Sequence, residues 1–131
     1  MQITPLFAAL LALMFIALSF RIVSLRRRLK VSLGDGGERE LVRAIRIHGN
    51  FAEYVPLGLV MLFLVEAQAT TALVVYGLGA LLFFGRIAHV YGLLQEKVNF
   101  RFRVGGMVMT FSMLFISALI LLGHWVTRFF A

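Results

Sequence analysis

Four polar side chains stand where a hydrophobic run begins: Arg43, Arg46, Asn50 and Glu53, in "VRAIRIHGNFAEYVP". Their spacings of three, four and three place them within about 80° of one another on a helix, because each residue turns the chain by about 100°. His48 falls on nearly the opposite face. Guanidinium groups fork onto carboxylates or phosphates, so the arginines of the stripe suit an anionic ligand or lipid headgroups. Further along, "GRIAH" sets Arg86 and His89 three residues apart and therefore on one face, and Arg103 opens the final hydrophobic run.

The elements that must carry these groups are membrane helices. The chain has 131 residues, 61% of them hydrophobic, and four apolar runs of the roughly 20 residues that cross a hydrocarbon layer. They cover about 5–25, 41–67, 70–94 and 104–127, which predicts an all-α integral membrane four-helix bundle in one transmembrane domain. The first run lacks a preceding Lys or Arg and is followed by Arg26, Arg27, Arg28 and Lys30, the reverse of a secretory signal, so it is expected to stay as a helix. The net charge of +7 is concentrated in the first connection and in the third, with Lys97, Arg101 and Arg103. The second connection, around Gln68 to Thr71, has no basic residue. This pattern predicts cytoplasmic first and third connections, with both termini outside, and assigns the cations to lipid headgroups rather than to nucleic acid.

Glu53 lies about 12 residues, or roughly 18 Å, from the start of its helix, a costly depth for an unpaired carboxylate. Arg86 reaches an overlapping depth from the third helix, and the two are expected to form a buried pair. Pro56 is expected to bend or open the second helix beside them, since it removes one backbone hydrogen bond. The bland alternative is a clamp between helices with Asn50 as interhelical glue. Against it, Arg43, Arg46, Arg86 and Arg103 exceed what Glu53 neutralises, which implies an anionic ligand or lipid headgroups.

Other signals are weaker. "GDGG" at Gly34 to Gly37 lacks the GxxxxGK[ST] spacing of a phosphate loop and reads as a turn. His124 and Arg128 with Trp125, Phe129 and Phe130 read as an interface anchor. The chain has no cysteine, which excludes a protein thiolate nucleophile, and its three histidines lie on different helices or faces, which disfavours a metal site.

The residues "ERELVRAIRIHGNFAEYVP", "GRIAH" and the arginines before the fourth run resemble the MAPEG family, the membrane-associated proteins in eicosanoid and glutathione metabolism. The resemblance covers nearly the whole chain. It implies a homotrimer whose subunits bind glutathione in cytoplasm-facing clefts between neighbours. Arg46, Asn50, Glu53, Arg86, His89 and Arg103 match the family's ligand positions, and Arg103 would be catalytic by stabilising the thiolate. An arginine from Arg26 to Arg28 would reach a neighbour's cleft. The family's activities imply conjugation or peroxide reduction on a lipophilic substrate, in a bacterial inner membrane; its lipoxygenase-activating member implies the alternative of a non-catalytic protein that binds a lipid or a partner. A small transporter is a third possibility, supported only by the helix-embedded acid and the proline. Three departures bear on catalysis: Gly49 replaces the arginine that prostaglandin E synthase members carry before the asparagine, Val104 and Met107 replace a serine and a tyrosine after the fourth-helix arginine, and Tyr91 is displaced by two from the family's third-helix tyrosine, where Leu93 stands.

Overall fold

The computed structural model describes residues 2–95 and 97–130. Four helices follow one another: α1 (Thr4–Leu29), α2 (Arg39–Ala67), α3 (Ala72–Leu94) and α4 (Phe100–Phe129). Each is long and apolar enough to cross a membrane, and together they form an integral membrane bundle. Side chains such as Leu13, Phe20, Phe63 and Phe115 point outward and are more than half exposed, as expected where lipid replaces water around the helices.

α2 and α3 are the central elements. Each packs against all three other helices, whereas α1 and α4 do not meet among the described residues. The core between the helices is built from Leu11, Phe51, Leu62, Val75, Leu82 and Met113, all at or near zero exposure. α3 and α4 have the most extensive contact and come close enough that a methyl group on Gly106 would run into the backbone of Gly85 and His89. This close crossing brings α3's polar groups within reach of α4.

Two helices exceed the spans expected from hydropathy. α1 continues through Arg26, Arg27 and Arg28, good helix formers whose charge favours a helix C-terminus, and ends at Lys30 in a left-handed conformation (φ 56°). α4 begins at Phe100 because the Asn99 side chain accepts from the Arg101 and Phe102 amides, 3.1 and 3.5 Å away. The loop between α1 and α2 turns through Gly34, Gly36 and Gly37, all at positive φ, and is held to α1 by Arg26 donating to the Gly34 carbonyl (2.8 Å), while an Arg28–Glu40 ion pair ties the first turn of α2 to the end of α1. α2 runs unbroken through Pro56. The expected opening there does not interrupt the helix, because the turns on either side keep their own hydrogen bonds.

At the opposite end of the bundle, α1 starts without a capping side chain of its own. Glu66 of α2 takes that part: its two carboxylate oxygens accept from the amides of Ile3 and Thr4, the latter at 3.0 Å. Replacing Glu66 by alanine is therefore expected to cost about 1 to 2 kcal/mol and to speed amide hydrogen exchange in the first turn of α1. Unchanged exchange there would show that the carboxylate does not cap the helix.

Candidate functional site

The antiparallel arrangement gathers the start of α2, the end of α3 and the start of α4 at one end of the bundle. A tie from side chain to backbone helps to fix them, as the Arg43 guanidinium donates to the carbonyl of Gln95 just past α3 (2.7 Å). Between these segments lies a cleft of about 430 Å³, lined by Arg43, Arg46, Asn50, Glu53, His89 and Arg103 among others. That volume falls within the range of small-molecule sites, about 300–1,000 Å³. Six of the seven residues singled out from the sequence thus meet around one space, and the seventh, Arg86, lies buried behind it.

Arg86 is 1% exposed. One terminal nitrogen donates to Asn50 Oδ1 (2.8 Å), and the other donates to Thr110 Oγ1 (2.7 Å) and approaches the Met107 sulfur at 3.2 Å. The guanidinium also lies 5.7 Å from the centre of the Tyr54 ring. Its partners are all uncharged. The pairing with Glu53 expected from the sequence is not formed: no ion pair joins them among the described residues, and Glu53 is exposed on the chain's surface. Asn50 lies one turn earlier on α2 and receives the guanidinium first, while the close α3–α4 crossing offers Thr110 on the other side. Among the described residues Arg86 Nε has no hydrogen-bond partner, a costly state for a buried charged group and one that favours a nearby negative charge.

The hydrogen bonds dictate what the cleft presents. Asn50 Oδ1 is taken by Arg86, so the amide nitrogen is the part of Asn50 left to donate to a ligand. His89, 4% exposed, holds α3 to the first turn of α4 through Nδ1 and the Arg103 carbonyl (3.1 Å). Donation through that nitrogen leaves Nε2 as an acceptor in the neutral ring. Arg103 itself is exposed, with its guanidinium 5.9 Å from the Phe100 ring. Gly49 also lines the cleft, and a methyl group there would meet nothing within 4 Å. The glycine therefore widens the site.

His48 lies away from the cleft, as its helical angle implied, with its ring against Phe15 of α1. Two participants were absent from the sequence reading, Thr110 and Tyr54. Thr110 had a faint signal: it stands seven residues after Arg103 and four after Gly106, on the face of α4 that these share. The hydroxyl of Thr110 donates to the Gly106 carbonyl (2.9 Å), which leaves its oxygen free to accept from Arg86.

Fold and site together define a four-helix integral membrane protein with a cationic polar cleft among three helices near one bundle end. The MAPEG family pattern matches residues 4–122, and the chain belongs to that family. Inner membrane protein YecN of Escherichia coli, matched in two strains, is 38% identical over 118 residues, which is 90% of this chain and 88% of the relative.

Proposed function

We propose that the cleft binds glutathione and that the protein is a glutathione-dependent transferase or peroxidase acting on lipophilic substrates from the bilayer. The observation carrying this reading is the convergence of three guanidinium side chains, one carboxylate and one oriented amide on a single cleft. Glutathione has two carboxylates and one ammonium group, so Arg43 or Arg46 and the Asn50 amide suit the former and Glu53 the latter. A thiolate is stabilised by nearby positive charge, the catalytic part assigned to Arg103. Membership of a family that includes glutathione transferases and peroxidases supports the same reading.

In this proposal the protein is a homotrimer, the exposed Arg46, Glu53 and Arg103 face a neighbouring subunit across the cleft, and the membrane is the bacterial inner membrane, as the name of the YecN relative suggests. The basic first and third connections are then cytoplasmic and both termini lie outside. Arg26 and Arg28 are engaged within their own loop region, so Arg27 is the arginine of that run better suited to reach a neighbour.

One observation favours the non-catalytic alternative, in which the cleft serves a lipid or a partner protein. Among the described residues, the positions that follow Arg103 on its face of α4 offer no free hydroxyl to hold a thiol: Val104 is exposed, Met107 turns its sulfur to Arg86, and the Thr110 hydroxyl is committed to Gly106 and Arg86. Calorimetric titration of the detergent-purified protein with glutathione, paired with turnover of a chromogenic electrophile, separates the readings. Binding with turnover that disappears in Arg103→Met, while binding survives, is the result expected of the enzyme. Absence of heat from correctly folded protein removes the glutathione reading altogether.

A further inference from the structure

A second cavity of about 240 Å³ lies between α1 and α2 and shares no lining residue with the cationic cleft. Every side chain around it is apolar, including Ala8, Ala12 and Phe15 from α1 and Phe51, Ala52 and Pro56 from α2. The three alanines and the proline leave room between helices that are otherwise packed, and the groove sits at hydrocarbon depth. On α2 its residues lie about 100° to 180° around the helix from Asn50.

A polar pair stands one turn beyond the groove toward the α1–α2 loop. Ser19 follows Phe15 by four residues, His48 precedes Ala52 by four, and the two side chains meet at 3.0 Å. Phe15 joins pair and groove, since it lines the cavity and its ring lies 4.6 Å from that of His48. The donors can be counted. The Ser19 hydroxyl gives its only hydrogen to the Phe15 carbonyl (2.9 Å), so at the contact with His48 the serine oxygen accepts and His48 Nε2–H donates. The neutral ring then keeps its hydrogen on Nε2 and presents Nδ1 as an acceptor. What remains of the pair is acceptor capacity, at Nδ1 and on the serine oxygen, with no spare donor.

We propose that this groove is a binding site for a single-chain lipid whose head group is a hydroxyl. The tail occupies the apolar channel between the two helices. The hydroxyl donates to the Ser19–His48 pair, which lies roughly 15 Å inside the end of α1, where bulk water does not serve its acceptors. Heads that only accept, such as an ether or ester, meet acceptors with acceptors, and a carboxylate adds charge to that mismatch.

Photolabelling in phosphatidylcholine vesicles tests the site, with a hexadecanol analogue carrying a mid-chain diazirine as the probe and peptide mass spectrometry as the readout. Label is expected on 8–15 and 51–59 above the lipid-facing residues of α4. Unlabelled hexadecanol is expected to displace it about tenfold more effectively than hexadecyl methyl ether, the worth of one buried hydrogen bond. Ala12→Phe or Ala52→Phe fills the channel and removes the excess label. The double variant Ser19→Ala, His48→Phe keeps the channel and loses the preference for alcohol over ether, so the proposal stays testable even where a channel-filling variant does not fold. Equal displacement by alcohol and ether in the wild type, label spread evenly over all outward faces, or label excluded because a second copy covers the groove would each overturn it. Glutathione titration of the same variants is expected to match the wild type, which keeps this site's failure distinct from that of the cleft.

Discussion

Thr110→Val destabilises the protein by about 2 to 3 kcal/mol, whereas Glu53→Gln leaves its stability unchanged: this is the result expected from the surroundings of Arg86. The guanidinium is almost fully buried and is held by Thr110 and Asn50 rather than by an acid. Valine keeps the shape of threonine but removes the acceptor, so a buried cation loses a hydrogen bond that water cannot replace. Once Arg86 is itself changed to methionine the loss of the Thr110 oxygen matters little, and a double-mutant cycle over the two positions is expected to show a coupling of about 2 kcal/mol. The same cycle over Glu53 and Arg86 is expected to show none. Denaturant unfolding in mixed micelles measures both cycles, and strong coupling between Glu53 and Arg86 would contradict the arrangement described here.

The second large effect separates folding from binding at one residue. Asn50→Asp keeps the oxygen that accepts from Arg86 and adds a negative charge beside that buried cation, so stability is expected to hold or rise. The same change deletes the amide donor on the cleft side and sets a carboxylate against the carboxylates of glutathione. Loss of one hydrogen bond to a charged group costs about 1.5 to 3 kcal/mol, or roughly ten- to a hundredfold in affinity, and the added repulsion lowers it further. Asn50→Ala, in contrast, is expected to weaken folding and binding together. A headgroup patch would respond to Asn50→Asp only through net charge, and its response would fade with added salt. Titrating both variants at two salt concentrations distinguishes these cases, and wild-type affinity in Asn50→Asp would remove Asn50 from the ligand site.

The sequence by itself determined the elements and most of the cast. Hydrophobic runs of membrane-spanning length set the number of helices, because every backbone group in a bilayer must be satisfied within the helix that carries it. Helical periodicity alone put Arg43, Arg46, Asn50 and Glu53 on one side of α2 and His48 on the other, and both placements hold in the structure. The helix ends were less legible, since hydropathy stops at the arginines that α1 and α4 include and does not register the cap at Asn99. Only the tertiary structure decided which polar groups touch. Depth along two helices placed Glu53 level with Arg86, but depth says nothing about rotation or the distance between axes. The closeness of α3 and α4 at Gly85 and Gly106 decided both, drawing the Arg86 guanidinium toward Thr110 and away from the surface where Glu53 lies. A hydrogen bond extends about 3 Å, and a pattern of residue types along a chain cannot specify an approach that short between helices that meet only on folding.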